Sequence, residues 1–321
     1  MIFFHDPAQS AVSQQKFGKE QGSMKCFTLN SHSLAEPAYE EKLEQFIEGI
    51  AAEEPDIMAF QESSQSICAE EISEHELTAS GFFPCPLVSV GEKAAAETVK
   101  IRRDNHAFQI AVSLRSRGLP YYWTWTGAKI GYGKYDEGMA MFSRYPVLTA
   151  SQFYLTASHD YQNWKTRKAL SLSIRTEKEV ASFACVHMGW WKEEDPFSAQ
   201  WERLLTHLRP LLEKGHVWLI GDFNSPSQAK GEGYDLIRNS GWRDTYLMAE
   251  KKDSGVTVPG QIDGWRNQGE ISGMRIDYVW LSPRSEQEQP IRICSSNVLF
   301  NGKTLPVVSD HYGVLTEWKY E

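Results

Sequence analysis

HVWLIGDFN, at residues 216–224, is an apolar run that ends in polar side chains. Its length and composition predict a buried strand, and Asp222 and Asn224 stand where the apolar part stops. In α/β proteins, polar residues at strand ends form the sheet edge that binds ligands. The segment therefore predicts a buried sheet with a functional edge.

Five further segments also combine an apolar run with a polar cluster. They are LNSH (29–32), FQES (60–63), VHMGWW (186–191), RIDYVWL (275–281) and SDHYG (309–313). Apolar residues at helical spacing predict amphipathic helices over 38–52 and 197–213. Many strands with few helices predict an α/β fold of two packed sheets covered by helices, in one domain.

Strands are predicted at both ends and in the middle of the chain. The first runs over 24–30, and the second covers 55–62 and ends at Glu62. Further strands are predicted at HAFQIAVSL (106–114), YYWTWTG (121–127), GMAMFSRYPV (138–147), KALSLSIRT (168–176), VASFACVHM (180–188), MRIDYVWLS (274–282) and GVLTEWKY (313–320). Residues 1–23 are polar and patternless, which indicates an N-terminal extension before a single domain at 24–321.

The composition limits the classes of partner. The 321 residues carry a net charge of −9, with 41% apolar residues, which is ordinary for a soluble protein. An acidic surface repels long polyanions, so nucleic acid is not expected as a partner. The chain lacks a membrane-length apolar run and an N-terminal signal pattern, and its five scattered cysteines indicate reduced thiols. We expect a cytoplasmic protein with no membrane or protein partner.

The polar clusters supply the ligand types that hard divalent cations bind. Mg²⁺ prefers oxygen ligands, typically one or two carboxylates with water and substrate phosphate. Glu62, Asp222, Asp310 and Asn30 offer such oxygens. Two histidines, His187 and His311, can donate hydrogen bonds to a phosphoryl group. This set predicts metal-assisted phosphoester chemistry.

The motifs and their order resemble the endonuclease/exonuclease/phosphatase superfamily. The resemblance rests on QE at 61–62, GDFN at 221–224 and SDH at 309–311, with RIDY at 275–278 between the last two. It covers nearly everything from Met24 to the end. The family implies a four-layer αββα sandwich, DNase I-like, in which two mixed β-sheets are flanked by helices. It also implies a metal-dependent phosphoric ester hydrolase.

The resemblance also implies roles for individual residues. Glu62 would be the principal Mg²⁺ ligand, with Mn²⁺ as an alternative ion, and Asn30 and Asp310 would support the metal. Asp222 would deprotonate the attacking water. The remaining catalytic positions would contact phosphate or orient a side chain that does: Asn224, His187, His311, and Asp277, which would fix the tautomer of His311. From the residues alone, Asp277 could instead pair with Arg275 or Arg144.

A narrower resemblance concerns the substrate. LNSHS at 29–33, KYDEGMAMFSRYP at 134–146, HMGWW at 187–191, GEGYD at 231–235, SGWRDTY at 240–246 and IDGWR at 262–266 are similar to bacterial maltose 6'-phosphate phosphatases. It implies hydrolysis of a phosphorylated sugar. Substrate contacts are expected from Trp190, Trp191, Trp265, Glu137 in a turn at 135–138, and Arg167. Each tryptophan could equally belong to the hydrophobic core.

Two other functions remain open at this point. One is a phosphodiesterase, either a nuclease or a sphingomyelinase-like enzyme. The other is a non-catalytic protein that binds phosphorylated ligands. The acidic charge disfavours the nuclease, and the presence of every metal and histidine position disfavours the non-catalytic protein. A narrow, aromatic-lined cavity over Glu62 and His311 is the expected shape for a sugar phosphatase.

Overall fold

The computed structural model describes residues 22–88, 99–260, 273–283 and 289–321. Its strands are β1 (Met24–Asn30), β2 (Ile57–Ser66), β3 (Tyr122–Gly131), β4 (Tyr135–Ser143), β5 (Val147–Tyr154), β6 (Lys168–Arg175), β7 (Val180–His187), β8 (Val217–Asp222), β9 (Arg243–Asp244), β10 (Lys251–Lys252), β11 (Asp277–Leu281), β12 (Ile291–Leu299) and β13 (Gly313–Tyr320). Its helices are α1 (Tyr39–Glu53), α2 (Glu74–Ser80), α3 (His106–Ser116), α4 (Phe197–Leu212), α5 (Gly233–Asn239) and α6 (Thr245–Met248), with a 3-10 turn at Ser33–Ala35. The predicted extension, 1–23, lies outside the described residues except for its last two.

The strands form two mixed sheets. The first has the order β10-β12-β13-β1-β2-β4-β3, and the second has the order β5-β6-β7-β8-β11-β9. Within the first sheet β1 and β2 run parallel, and within the second β7 and β8 run parallel, while their other neighbours are antiparallel. Parallel neighbours bring two strand ends to one edge, which is where the polar clusters lie.

Three apolar layers hold the four-layer sandwich together. Between the sheets, the fully buried rings of Trp218 and Trp318 stack with centroids 4.7 Å apart. Outside the first sheet, α1 contributes Phe46 to a cluster with α3 and the strands. Outside the second sheet, α4 contributes Trp201 in the same way. The predicted αββα arrangement, DNase I-like, is confirmed.

The segment HAFQIAVSL, predicted as a strand, is helix α3. The side chain of Asn105 accepts a hydrogen bond from the backbone N–H of Phe108 at 3.1 Å and caps the helix. The buried residues Ala107, Ile110, Ala111 and Leu114 follow the helical repeat. The strand prediction was wrong, because the cap at Asn105 and this helical spacing outweigh the strand preference of the two β-branched residues, Ile110 and Val112.

Trp318→Ala tests the packing between the sheets. We expect the free energy of unfolding to fall by about 3–5 kcal/mol, because the substitution removes a buried indole and leaves a cavity against Trp218. Urea denaturation of both proteins measures the difference. Trp164→Ala is the control, since Trp164 is 54% exposed, and its cost should stay within about 0.5 kcal/mol. A loss below about 1 kcal/mol for Trp318→Ala would contradict this packing.

None of the helices in the described part of the chain is long and apolar enough to span a membrane. All five cysteines are free, and Cys26, Cys85 and Cys185 are buried.

Candidate active site

Strand pairing brings the predicted site residues to one edge of the sandwich. In the first sheet Asn30 pairs with Gln61, the residue before Glu62. In the second sheet His187 lies opposite Asp222 in the parallel pair β7–β8. Asp277, the first residue of β11, lies opposite the same Asp222 from the other side. Register alone therefore places three of these side chains in a row.

Glu62 reaches this edge through a distortion of β2. The strand was predicted to end at Glu62, but it continues to Ser66. The pairing of β2 with β4 shifts between Phe60 and Ser63, and Glu62 has a left-handed φ of 50°. Such bulges redirect a side chain, and strained non-glycine residues cluster at functional sites. Glu62 is thus directed into the site from inside a strand.

In the GDFN segment, local backbone geometry and hydrogen bonds explain three of the four residues. Gly221 has a φ of 145°, and a Cβ there would lie 2.1 Å from the carbonyl oxygen of Val186. The carboxylate of Asp222 accepts a hydrogen bond from the backbone N–H of Asn224 at 2.8 Å, which closes a tight turn. Asn224 adopts a left-handed φ of 45° and donates through Nδ2 to the carbonyl oxygen of Met188 at 2.9 Å. This geometry fixes Asp222 at the strand end.

Asn30 links the two sheets at the centre of the site. Its Nδ2 donates to Glu62 Oε1 at 2.9 Å and to Asp222 Oδ2 at 3.2 Å. His187 Nε2 lies 3.9 Å from Glu62 Oε1 and 3.6 Å from Asp222 Oδ2. The structure therefore brings together four residues that the sequence places far apart.

His311 and Asp277 form the predicted pair. His311 Nδ1 lies 3.0 Å from Asp277 Oδ2, while its Nε2 lies 4.0 Å from Asp222 Oδ2. Asp277 therefore contacts His311, whereas Arg275 pairs with Asp244 at 2.8 Å. A carboxylate on one ring nitrogen leaves the other nitrogen directed towards the site. Ser309 Oγ donates to the carbonyl oxygen of Asn30 at 2.7 Å and anchors this loop to β1.

Asp310 lies on a neighbouring side of the site. The carboxylate of Asp310 forms a group with the side chains of His32 and Glu36, in which one ligand atom from each residue lies within 4.8 Å of the others. His32 Nδ1 contacts Glu36 Oε1 at 2.7 Å, and its Nε2 contacts the hydroxyl of Tyr132 at 2.9 Å. Burial lowers the pKa of His32, but Glu36, Glu62 and Asp310 raise it to about 9. A cationic His32 next to Asp310 was not predicted from LNSH.

Burial and like charge act on the two central carboxylates. Burial raises the pKa of Glu62, and the charge of Glu137 raises it further. Burial and Asp277 raise the pKa of Asp222 to about 7. Three groups of three residues in the described part of the chain could hold an ion: the group of His32, Glu36 and Asp310, and two at the centre of the site, Glu62, Glu137 and His187, and Asp222, Asp277 and His311. Crowded, desolvated carboxylates fit a hard divalent cation, which would relieve their repulsion.

The two histidines of the site, His311 and His187, differ in charge at neutral pH. Burial lowers the pKa of His311, but Asp277, Asp222 and Asp310 outweigh burial and raise it to about 10. Burial, followed by the charges of Arg167 and Lys129, keeps the pKa of His187 well below its ordinary value. His311 is therefore a cationic donor at neutral pH, and His187 is a neutral imidazole.

A cleft lined by charged side chains lies next to His187. Glu137 and Arg167 line it, as predicted for substrate contacts, together with Lys129. Tyr135–Ser143 is strand β4, so Glu137 belongs to a strand and the predicted turn at 135–138 was wrong. Lys129 Nζ pairs with Glu137 Oε1 at 3.0 Å across β3 and β4. The wall of this cleft is thus charged, in contrast to the expected aromatic cavity.

The tryptophans differ in their surroundings. The indole of Trp190 lies 5.8 Å from the guanidinium of Arg167 and 5.9 Å from the exposed ring of Trp164. Trp191 packs against Phe197 in the apolar layer under α4, which agrees with the core alternative. Trp265 lies outside the described residues. Trp190 therefore lies next to Arg167, which lines the cleft, and next to Trp164, while it also packs against the apolar group of Val258, Met274 and Ile276.

Sequence reasoning missed Lys129, Trp164 and His32. Trp164 carried a signal, because an isolated tryptophan in the polar stretch DYQNWKTR has no apolar face to join. Lys129 carried a weaker one, a charged residue inside an otherwise apolar and hydroxyl-rich strand. His32 belongs to the LNSH motif, but only the fold brings Asp310 next to it and Glu36.

Comparisons with known proteins agree with this fold. A profile of the Endonuclease/Exonuclease/phosphatase family matches residues 27–311. An endonuclease/exonuclease/phosphatase family protein from Leptotrichia buccalis C-1013-b has 29% sequence identity and a TM-score of 0.74, over 93% of this chain and 99% of that chain. A search of curated proteins gives no match.

More distant solved structures share the fold. A mannosyl-6-phosphatase from Bacteroides thetaiotaomicron VPI-5482 has 15% identity and a TM-score of 0.57, over 92% of this chain and 99% of that chain. The catalytic domain of human Nocturnin has 18% identity and a TM-score of 0.59, over 94% of each chain. The family profile covers most of the sequence and includes the site from Asn30 to His311. The protein therefore belongs to the endonuclease/exonuclease/phosphatase family and is a phosphoric ester hydrolase.

Proposed function

We propose that this protein is a cytoplasmic, Mg²⁺-dependent phosphatase that hydrolyses a phosphorylated sugar similar to maltose 6'-phosphate. The observation that carries the proposal is the aromatic pair Trp190 and Trp164, because Trp190 lies next to Arg167, a residue that lines the cleft at His187. Flat aromatic rings fit the apolar faces of sugars, while charged groups below them suit a phosphate. The similarity in fold to a mannosyl-6-phosphatase gives further support.

Enzymes of this family use a divalent metal, and the donor set of this chain suits Mg²⁺, with Mn²⁺ as an alternative. Glu62 would be the principal ligand, with Asn30 and Asp310 supporting the ion or its water. When bound, the ion would neutralise charge that develops on the phosphoryl oxygens. Glu62 and Asp310 already influence the same neighbour, His32, which indicates that their charges act on one region.

The side chains of this protein supply the proton chemistry. Asp222 would take a proton from the attacking water, and a pKa of about 7 suits a general base at neutral pH. The water oxygen would bond to phosphorus as the bond from phosphorus to the sugar oxygen breaks. The net reaction returns the proton to the sugar and yields the free sugar and inorganic phosphate.

The other polar groups would bind the phosphoryl oxygens. His311, held by Asp277, would donate from Nε2 as a cation. His187, as a neutral ring, would donate one hydrogen bond, and Asn224 would donate another. Hydrogen bonds from charged donors are roughly twice as strong as those from neutral donors. His311 is therefore the stronger of the two histidine contacts with developing charge.

Trp164→Ala tests the sugar part of the proposal. We expect KM for maltose 6'-phosphate to rise about tenfold, because lost stacking is worth roughly 1 kcal/mol or more. KM for glycerol 2-phosphate, which has no ring to stack, should change less than about twofold by the same reasoning. Steady-state assays of phosphate release give both values.

Trp164→Phe is the matched control, because it keeps an aromatic face and should recover most of the affinity. Leu247→Ala removes another exposed apolar side chain, 50% exposed, away from the residues of the site. It should change neither KM. An equal rise in KM for both substrates with Trp164→Ala would contradict sugar stacking at this position.

A further inference from the structure

Arg167 is a buried cation whose guanidinium has no carboxylate partner in the described part of the chain. The residue is only 4% exposed, and its Nε is buried without a hydrogen-bond partner among the described residues. None of the carboxylates in the described chain lies within 4.0 Å of its guanidinium. Burying a charge without a partner is costly, so such groups usually have a ligand.

The surroundings of Arg167 indicate an anion as that ligand. Arg167 lines the same cleft as Lys129 and His187. Lys129 is already paired with Glu137. Lys168 also lines the cleft, but its amine donates to the carbonyl oxygen of Gly127 and to Gln152 Oε1, both at 2.9 Å, so the guanidinium of Arg167 is the cation of this wall with unused donors. Glu193, half-buried, feels the charge of Arg167 but forms no salt bridge with it. Trp190 covers one side of the guanidinium at 5.8 Å.

An unpartnered Nε is not sufficient evidence by itself, as Arg102 shows. The Nε of Arg102 is also buried without a hydrogen bond. However, Arg102 donates to the carbonyl oxygen of Ala69 at 2.7 Å and lies 3.7 Å from the carboxylate of Asp136. Its charge is therefore compensated by the protein. Arg167 differs because it combines burial, a cleft position and the lack of a carboxylate partner.

We infer that Arg167 binds the phosphate group of a phosphomonoester and makes the site select monoesters over diesters. The inference rests on the proposed function, because it identifies the substrate class at the same site. A monoester phosphate carries about −1.5 to −2 charge at neutral pH and offers three free oxygens. In a diester one of these oxygens carries a second organic group and the charge is reduced to one. The planar guanidinium can hold two oxygens at once, which makes it sensitive to this difference.

The selectivity is measured with two probes that differ by one methyl group. The probes are p-nitrophenyl phosphate, a monoester, and methyl p-nitrophenyl phosphate, a diester with the same leaving group. We expect Arg167→Met to lower kcat/KM for the monoester by about 10–100-fold, the loss of a charged hydrogen bond. The diester should lose a much smaller factor, so the monoester-to-diester ratio should fall at least tenfold. Inhibition by inorganic phosphate, a binding readout, should weaken in parallel.

Arg102→Met is the matched control, since it removes a similar arginine outside the cleft wall and should leave the ratio unchanged. Thermal unfolding of each variant reports its stability. If Arg167→Met does not fold, Arg167→Lys takes its place, because it keeps the charge but loses the planar fork. For Arg167→Lys the monoester-to-diester ratio should fall at least threefold. An equal loss for both probes, or unchanged phosphate inhibition, would overturn the inference.

These probes contain no sugar, so the outcome is independent of sugar recognition. If the monoester-to-diester ratio depends on Arg167 but the protein does not hydrolyse sugar phosphates, only the sugar part of the proposed function is rejected. If the protein hydrolyses sugar phosphates but the monoester-to-diester ratio does not depend on Arg167, only this inference is rejected.

Discussion

Glu62→Gln is expected to lower metal-dependent turnover by about 10²–10⁴-fold while the fold is retained, because it removes the charge of the proposed principal ligand and keeps its shape. In the structure the carboxylate already accepts a hydrogen bond from Asn30, which an amide oxygen can still accept. The Mg²⁺ concentration for half-maximal activity should rise together with the loss of turnover. Phosphate-release assays over a Mg²⁺ series, with thermal unfolding in parallel, give both quantities.

Glu48→Gln is the control for this substitution, since Glu48 is an exposed residue of α1 and its change should have no effect. Turnover of Glu62→Gln close to that of the unmodified protein at saturating Mg²⁺ would show that Glu62 is not the principal ligand.

His311→Ala should remove most activity, by about 10²–10⁴-fold, because the cationic donor to the phosphoryl group is lost. Asp277→Asn should cost less, since the ring stays but is no longer held by a carboxylate at 3.0 Å. It should also lower the pKa of His311 from about 10, because Asp277 is the main group that raises it. NMR titration of the ring and steady-state kinetics measure the two effects.

His75→Ala, at an exposed histidine of α2, should leave activity unchanged. If Asp277→Asn left the titration of His311 where it was, the pair would be structural and the proposed orientation would be wrong.

Much of the site was predictable because its residues follow apolar runs. The end of a buried strand is visible in a sequence such as HVWLIGDFN, and polar residues at such ends share one sheet edge. This reasoning identified Asn30, His187 and Asp222, which the structure places in contact range. Their catalytic roles remain predictions.

The strand ends were less predictable where local geometry departs from a regular strand. A bulge directs Glu62 into the site from the middle of β2, and no residue pattern announces where a pairing register shifts. The cap at Asn105 turned a segment of β-branched and apolar residues into α3. In both cases a local feature of one or two residues outweighed the average preference of the segment.

The charged wall could not be predicted because it depends on long-range pairing. Lys129 and Glu137 form an ion pair across β3 and β4. The charge of Glu137 is therefore partly neutralised, which its sequence motif does not predict. Arg167 was expected to contact substrate, but only the fold shows that its charge lacks a carboxylate partner among the described residues. Trp191 was also expected to contact substrate, but it packs in the apolar layer under α4.

The most direct test of a sugar phosphatase is phosphate release from a panel of phosphosugars, nucleotides and a diester, with Mg²⁺ or with EDTA, alongside plasmid nicking. We predict Mg²⁺-dependent release of inorganic phosphate from a disaccharide phosphate such as maltose 6'-phosphate, loss of that activity in EDTA, and little nicking. Plasmid nicking as efficient as sugar-phosphate hydrolysis, or release that is unaffected by EDTA, would contradict the proposed function.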